Sequence, residues 1–382
     1  MIIRIKGKKI VLPNGVKDCS IYLENGKIIQ VGNLDLPFDY EVDAGNDYVL
    51  PGYIDVHTHG AVGYDFCESD CDGILKATEH HLKCGATAIM PTVTSSTFEK
   101  TYSALEKVEK AMQSDSPYNN IVGVHLEGPY FSEKQSGAQD KSLITDPKPE
   151  DYKRLIDRFG KIIKRWDYAP ERDKNGVFCD YLQSHGILPS AGHTDAKMDD
   201  LEVAKDKGCK LVTHLYSCTS TITRENGFRK LGVIECAYLW DDLYVEIIAD
   251  GKHLPPELLK LIFKLKPIDK ILLVSDSLKV AGSNEKYSSV GTVRCIIEDG
   301  VCKLLDRTAF AGSIATADRL VRVVVEEAGL SIEDAIKVAC ENPAKLFGLN
   351  KGRIEKGYDA DIIIVNDKFT PIKIFRNGIE IK

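Results

Sequence analysis

The sequence predicts an α/β protein, in which a TIM-like (β/α)₈ barrel of eight parallel strands and eight helices carries a small β-sandwich domain built from both chain termini. Three observations predict this fold class. The chain has 382 residues, enough for one large barrel with an accessory module. Both ends carry short β-type runs separated by Asn-Gly turns. The middle alternates short apolar runs with helical segments, as parallel α/β proteins do.

The composition excludes several classes of protein. Hydrophobic residues make up 43% of the chain and charged residues 28%, which is too apolar for a disordered protein. The net charge is −7 without a basic block, so we expect neither a nucleic acid nor a membrane as partner. No apolar stretch approaches the roughly 20 residues of a membrane span. The start lacks the apolar region of a signal peptide, which predicts a cytoplasmic protein whose 11 cysteines are reduced.

The two termini, residues 1–50 and 350–382, are predicted to form the β-sandwich. Asn14-Gly15, Asn25-Gly26 and Asn377-Gly378 are turn signals between runs rich in strand-forming residues. The predicted strands are Ile2–Lys6, Lys9–Val11, Cys19–Glu24, Lys27–Val31, Ala360–Val365 and Ile372–Arg376.

Residues 51–349 are predicted to form the barrel. Pro255 and Pro256 are typical of a helix start, and Gly208 of a helix end. An open doubly wound sheet is the competing interpretation, but no Gly-x-Gly-x-x-Gly follows any strand. The eight predicted strands are Tyr53–Val56, Ala86–Met90, Ile121–Leu126, Ile162–Tyr168, Leu188–Ala191, Leu211–His214, Tyr244–Ala249 and Ile271–Val274. Predicted helices include Thr97–Met112, Glu150–Arg158, Met198–Lys207 and Pro256–Leu265, and a hairpin of Thr292–Ile297 with Val301–Leu305 is predicted after the eighth strand.

Histidines and carboxylates stand at the ends of the predicted strands, where a barrel brings side chains into one shared site. His57 and His59 share a face of the first strand, although a lone His-x-His is a weak signal. Imidazole and carboxylate are ligands for Zn²⁺ or Fe²⁺, so the set predicts a divalent metal site. The other strand-end residues are His125, Glu127, His193, His214, Asp250, His253 and Asp276, whereas His80, His81 and His185 are interpreted as solvated or helix-face residues. Cys67 and Cys71 are a further close pair, but no second Cys/His pair matches zinc-site spacing.

Several motifs resemble a known family. Pro51–Gly60 is similar to the first metal motif of the amidohydrolase superfamily. Within that superfamily the chain resembles the N-acetylglucosamine-6-phosphate deacetylases, and the specific element is the Leu126-Glu127-Gly128-Pro129 segment with its Glu ligand. The similarity spans nearly the whole chain and includes Ser190–Thr194, Thr213–Tyr216, Ile248–His253, Ala311–Ser313, Glu341–Ala344 and Gly357–Asp361.

The resemblance implies roles for individual residues. It implies that Glu127, His193 and His214 hold the principal metal, Zn²⁺ or Fe²⁺, and that His57 and His59 complete a second position with Glu127 bridging, so that one or two ions are expected per chain. Asp276 would act as general base toward water and then as acid toward the leaving amine of the amino sugar. A plain metal ligand is the alternative role for Asp276, and both roles can coexist in one carboxylate. Substrate contacts are implied for Ala138, Gln139, Ser217, Cys218, Arg224, Asp250, Gly251, His253, Phe310, Ala311 and Gly312.

The chain departs from the family around the substrate phosphate. Ser217-Cys218-Thr219 replaces the usual Asn-Ala-Met, and the segment after Arg224 is several residues longer, so Arg229 or Lys230 could also bind phosphate. The implied function is deacetylation of N-acetylglucosamine 6-phosphate. The alternatives are a related amidohydrolase acting on N-acetylgalactosamine 6-phosphate or an N-acyl amino acid, and a catalytically idle sugar-phosphate sensor, which the intact ligand set disfavours. The family pattern also predicts a homodimer in which a neighbouring subunit completes the phosphate site.

Overall fold

The computed structural model describes all 382 residues, and it confirms the predicted barrel. Eight parallel strands lie side by side in the order of the chain. The eighth strand closes onto the first, because the Asp276 N–H donates to the His57 carbonyl at 2.9 Å and the His59 N–H donates to the Ser277 carbonyl at 2.8 Å. The strands are Tyr53–Thr58, Ala86–Thr94, Val124–Glu127, Ile163–Tyr168, Leu188–Ala191, Leu211–Val212, Tyr244–Ile247 and Ile271–Leu273.

Helices surround the barrel, and the largest hydrophobic cluster of the molecule lies between them and the strands. Local sequence fixes several helix starts: the Asp70 carboxylate accepts the Gly73 N–H, and the Thr97 hydroxyl accepts the Lys100 N–H. The helices are Cys71–Lys83, Phe98–Met112, Pro149–Phe159, Val177–Ser184, Met198–Asp206, Val233–Leu239, Pro256–Leu265, Ala317–Glu326, Ile332–Ile336, Lys337–Glu341 and Asn342–Leu346. None of them combines the length and the apolar character that crossing a membrane requires.

Both chain ends contribute strands to one eight-stranded sheet. Strand is found at both predicted ranges, Ile2–Lys6 and Lys9–Val11, but the break predicted between them is wrong, because the chain continues as one strand through a β-bulge between Gly7 and Ile10. Asn25 and Gly26 have φ of 51° and 77°, as the predicted tight hairpin turn requires. The strands are Ile3–Leu12, Gly15–Glu24, Lys27–Gly32, Tyr40–Asp43, Tyr48–Pro51, Ile362–Val365, Pro371–Arg376 and Ile379–Ile381.

The terminal sheet is connected directly to the start of the first barrel strand. Strand Tyr48–Pro51 pairs antiparallel with Ile362–Val365 and leads into the first barrel strand one residue later. The sheet also curls back on itself, since the Ile28 N–H donates to the Tyr358 carbonyl at 2.9 Å. A separate cluster of 15 buried apolar residues fills its interior. Division of the chain at residues 50 and 350 stays a prediction.

Two insertions lie at the carboxyl end of the barrel. The predicted hairpin after the eighth strand is the centre of a four-stranded antiparallel sheet, which we call the roof sheet and which comprises Tyr287–Val290, Val293–Glu298, Val301–Leu304 and Phe310–Gly312. Its Val290, Cys295 and Cys302 pack with Ala138 and Leu278 in one apolar cluster. A second hairpin, Thr223–Glu225 with Phe228–Lys230, follows the sixth barrel strand and carries the basic residues of the lengthened loop. We call it the basic hairpin.

Asn342 fastens the C-terminal helices to the eighth strand. Its buried side-chain amide donates to the carbonyls of Ile268 and Ile271 at 2.8 and 2.7 Å. Asn342→Leu is expected to lower the free energy of unfolding by about 2 kcal/mol, because two acceptors lose their donor in a site closed to water. Urea denaturation measures the loss. The exposed Asn350 makes a similar contact with Gly357, so Asn350→Leu is the control and should cost less than about 0.5 kcal/mol; equal losses would contradict the prediction.

Candidate active site

A cavity of about 280 Å³ opens at the carboxyl end of the barrel, beneath the roof sheet. Its walls combine strand-end side chains with residues of the loops that follow them. The predicted site residues that line it are His59, Glu127, Ala138, Gln139, His193, His214, Ser217, Cys218, His253, Asp276, Phe310, Ala311 and Gly312. Sequences far apart along the chain therefore meet here because the strands run parallel.

Glu127 is the centre of the first group of candidate metal ligands. Its Oε1 lies 3.2 Å from His193 Nε2 and 3.3 Å from His214 Nε2, and these two nitrogens are 3.2 Å apart. The Nδ1–H of His193 donates to the Gln135 carbonyl, and that of His214 donates to the Ser217 carbonyl. Since carbonyls only accept, both Nε2 atoms present lone pairs toward the carboxylate.

His57, His59 and Asp276 form the second group. Asp276 Oδ1 lies 3.1 Å from His59 Nε2 and 3.5 Å from His57 Nε2. Glu127 reaches this group too, with Oε1 at 3.4 Å from His57 Nε2 and Oε2 at 3.4 Å from His59 Nε2. Glu127 thus lies between the two sets of donors.

The donor set fits divalent metal ions. Two carboxylates and four imidazoles converge in a buried space, and each of the two groups can direct one atom per residue to a common point. His57 Nε2 is buried and has no hydrogen-bond partner. Burial lowers the pKa of His57, but Asp276 and Glu127 raise it by more, to well above its usual value. The pocket therefore favours a positive charge at this place, and imidazole with carboxylate suits Zn²⁺ and Fe²⁺.

Asp276 is ionised in this setting. Burial raises its pKa, but the neighbouring His57 and His59 lower it by more, to about 2. Its backbone has φ of 47°, in the left-handed region that strand ends at functional sites often adopt. The side chain lines the cavity and is available to accept a proton from a group bound there.

His253 is held in place from behind. Its Nδ1–H donates to Asp250 Oδ2 at 2.9 Å, and Asp250 Oδ1 accepts the backbone N–H of Lys252 and of His253. The ring packs edge-on against Phe310, with centroids 4.9 Å apart. Asp250 and Gly251 do not line the cavity; they build the turn that presents His253.

Both polar atoms of the Gln139 side-chain amide make hydrogen bonds. Its Nε2 donates to Glu127 Oε2 at 3.0 Å, and its Oε1 accepts from the Thr94 hydroxyl at 2.8 Å. The carboxylate of Glu127 is therefore oriented by an amide from the loop that follows the third strand.

The residues predicted for phosphate binding lie elsewhere. Arg224 and Arg229 face each other across the basic hairpin, and both are exposed, as is Phe228 at 75%. None of the basic hairpin lines the cavity.

Sequence reasoning misplaced or missed several residues. His81, interpreted as solvated or on a helix face, is fully buried on its helix, with Nε2 3.0 Å from the Thr58 hydroxyl and 3.1 Å from the Gly60 carbonyl, and burial lowers its pKa to about 4. None of the clusters of three or more side chains able to hold a metal includes a cysteine, so no such cluster forms around Cys67 and Cys71. The cavity residues missed are Tyr216, Leu278, Val290 and Ala309. Val290 lies in the roof sheet and Ala309 in the loop before its last strand, and both reach the cavity only because these segments fold over the barrel.

Known proteins share this sequence and architecture. The sequence profile of the amidohydrolase family matches residues 48–380. N-acetylglucosamine-6-phosphate deacetylase from Bacillus subtilis is 32% identical over 371 residues, which cover 95% of this chain and 92% of that protein. The crystal structure of N-acetylglucosamine-6-phosphate deacetylase from Thermotoga maritima superposes with a TM-score of 0.88 at 28% identity, over 100% of this chain and 99% of that chain. That of N-acetyl-D-glucosamine-6-phosphate deacetylase from Mycobacterium smegmatis gives 0.92 at 24% identity, over 100% of both chains, and supports the fold alone.

Proposed function

This chain belongs to the amidohydrolase family, and from that membership we propose that it is a metal-dependent N-acetylglucosamine-6-phosphate deacetylase. The reaction adds one water molecule across the amide bond at C2 of the sugar and yields glucosamine 6-phosphate and acetate. The observation that carries the proposal is the meeting of Glu127, His193 and His214 with Asp276 in one cavity. Relatives that cover 91% and 95% of this chain bear the name of this activity.

The metal is proposed to be Zn²⁺, with Fe²⁺ as the alternative that the same ligands accept. Glu127, His193 and His214 would hold the principal ion, and His57 with His59 a second one, with Glu127 shared between them. The chemistry that such an ion supplies is polarisation of the amide carbonyl and a lower pKa for a nearby water molecule.

Asp276 is proposed to move the proton. Its ionised carboxylate accepts a proton from the attacking water as the C–O bond forms at the acetyl carbon. It then donates that proton to the amide nitrogen, so that the C–N bond breaks with a neutral amine as leaving group.

The remaining cavity residues are proposed to position the sugar. His253, fixed by Asp250, would hydrogen-bond to the substrate, and Gln139 stands beside Glu127 where the acetyl group would lie. Phe310 to Gly312 would cover the sugar ring from the roof sheet. Backbone groups of Ala138, Ser217 and Cys218 are candidates for the rest of the substrate contacts.

Arg224 is proposed to bind the phosphate, with Arg229 or Lys230 as alternatives. Arg224→Ala is expected to raise KM for N-acetylglucosamine 6-phosphate and to lower kcat/KM about 10- to 150-fold, the effect of losing a charge-assisted contact of roughly 1.5–3 kcal/mol. Steady-state kinetics on the phosphorylated and unphosphorylated sugars measures this, since the unphosphorylated sugar never used the contact and is its control. Equal losses on both sugars would contradict the role of Arg224.

We further propose a homodimer. The basic hairpin stands outside the cavity of its own chain and exposes the apolar Phe228 together with two arginines, which suits insertion toward the site of a second copy. Sedimentation at micromolar concentration is expected to give twice the chain mass of 42.4 kDa. A single species of chain mass would contradict the dimer.

A substrate panel tests the proposed function directly. With Zn²⁺ added, acetate release should be fastest from N-acetylglucosamine 6-phosphate, slower from N-acetylgalactosamine 6-phosphate, and slowest from N-acetyl amino acids. A higher kcat/KM for either alternative class would replace the proposed substrate, and no hydrolysis of any of them would favour a binding protein.

A further inference from the structure

A network of charged side chains lies inside the barrel, beneath the cavity. Arg165, Asp167 and Glu246 are all fully buried. The Arg165 guanidinium donates to Asp167 at 2.9 and 3.2 Å, to the Thr213 hydroxyl at 2.9 Å, and to both carboxylate oxygens of Glu246. Barrel interiors are ordinarily filled by branched apolar side chains, and burying an ion pair costs desolvation that packing alone would not recover. These buried charges therefore point to a role other than packing.

Glu246 connects this network to the site. Its Oε2 lies 3.3 Å from His57 Nδ1. Both oxygens of Glu246 already accept from Arg165, and Oε2 accepts from the Nδ1–H of His57, so Nε2 is the nitrogen of this ring that is left for a metal ion. That Nε2 lies 3.4 Å from Glu127 Oε1 and 3.5 Å from Asp276 Oδ1.

We propose that Glu246, held by Arg165, is a positioning residue that fixes the ring orientation and tautomer of His57 for metal binding. The proposal rests on the proposed function, in that His57 is taken as a ligand of the second ion. Carboxylates that hold the far nitrogen of a ligating histidine ordinarily orient the ring and raise its basicity. Glu246 has this position, and Arg165 holds it there by donating to both of its carboxylate oxygens.

Asp167 separates this role from general support of the barrel. It contacts the same guanidinium as Glu246, but its partner histidine is His125, at 2.9 Å from Nε2. The other nitrogen of His125 meets the Thr92 hydroxyl at 3.0 Å, so this ring has no atom free for the cavity. A metal among His57, His125 and Asp167 is disfavoured, since the Arg165 cation already neutralises Asp167. Glu246 and Asp167 are thus two buried carboxylates that pair with the same arginine. Of the two, only Glu246 contacts a proposed metal ligand, His57.

Graded chelation of the Zn²⁺ and Co²⁺ forms tests the proposal. Glu246→Leu is expected to weaken the more loosely held ion about 10- to 100-fold and to change the visible spectrum of the Co²⁺ form, while the tighter ion changes less than about threefold. Glu246→Gln keeps the size of the side chain and an acceptor for His57 Nδ1, so it should recover part of the affinity, and it serves if the leucine variant does not fold. Asp167→Asn is the matched control, because it removes a charge from the same arginine without touching His57.

The outcomes are distinct. Asp167→Asn should lower the melting temperature as Glu246→Gln does, yet leave both metal affinities within about threefold of the wild type. If Asp167→Asn weakened the looser ion as much as Glu246→Leu, or if the Glu246 variants bound both ions normally, the positioning role would be overturned. A wild type that binds a single ion would overturn it as well. Failure of the proposed function would instead show as absence of acetate release from the fully loaded wild type.

Discussion

Glu127→Gln and His193→Ala are expected to remove most of the bound metal and to lower kcat/KM by at least ~10³-fold. Glu127 stands between both groups of donors, and His193 Nε2 faces it at 3.2 Å, so neither can be replaced by a neighbour. Loss of metal polarisation removes several kcal/mol of transition-state stabilisation, and each 1.36 kcal/mol corresponds to a factor of ten. Metal analysis of the dialysed proteins, with kinetics on the same samples, measures both effects.

The control for the histidine is the exposed His185, whose Nδ1 donates to the Tyr181 carbonyl on the outside of the barrel. His185→Ala should keep the metal content and activity of the wild type. Full metal occupancy in both Glu127→Gln and His193→Ala would remove these residues from the ligand set. Melting curves of the apo forms exclude a loss that arises from unfolding.

Asp276→Asn is expected to lower kcat by at least ~10²-fold while the protein still binds substrate and most of its metal. The amide has the shape of the carboxylate but cannot accept the proton of water at neutral pH, and general acid–base catalysis usually contributes 10²–10⁴-fold. Steady-state kinetics should show the loss in kcat and in kcat/KM alike, because the interaction belongs to the transition state.

Asp195→Asn is the control for this carboxylate. Asp195 also follows a barrel strand, but it pairs with the exposed Lys134 and does not line the cavity. Its replacement should leave kcat within about twofold of the wild type, since exposed pairs contribute little. An Asp276→Asn variant that kept wild-type kcat would show that another group moves the proton.

Variants of the basic hairpin and of the buried charged network are expected to change different quantities, namely KM and metal affinity. Arg224→Ala should change KM for one substrate alone, because the phosphate is remote from the amide bond. Changes at Glu246 should appear first in metal affinity, because Glu246 contacts His57 and no part of the cavity. Together these variants separate substrate binding, metal binding and proton transfer as three measurable functions of one barrel.

The sequence by itself determined the barrel, and it placed the histidines and carboxylates of the candidate site at the ends of its strands. Apolar runs such as Ala86–Met90 and Ile271–Val274 have the length and composition of buried parallel strands, and the structure has strands at both places. Because parallel strands end at one rim, His57, His59, Glu127, His193, His214 and Asp276 could be assigned to one place before any contact was known. Helix ends followed from local signals, as at Pro256, since capping depends on neighbours along the chain.

Only the tertiary structure decided what surrounds those donors. The burial of His81, the position of Val290 in the cavity wall and the separation of Arg224 from the cavity all depend on how loops pack onto the barrel. The sequence shows that Arg165 and Glu246 lie in barrel strands, but it does not show that they pair. They are 81 residues apart and meet only because the barrel closes. Local sequence specifies elements and strand ends through short-range steric and hydrogen-bond preferences. Contacts across the barrel arise when hydrophobic burial closes the sheet, and only then do the surroundings of each side chain become fixed.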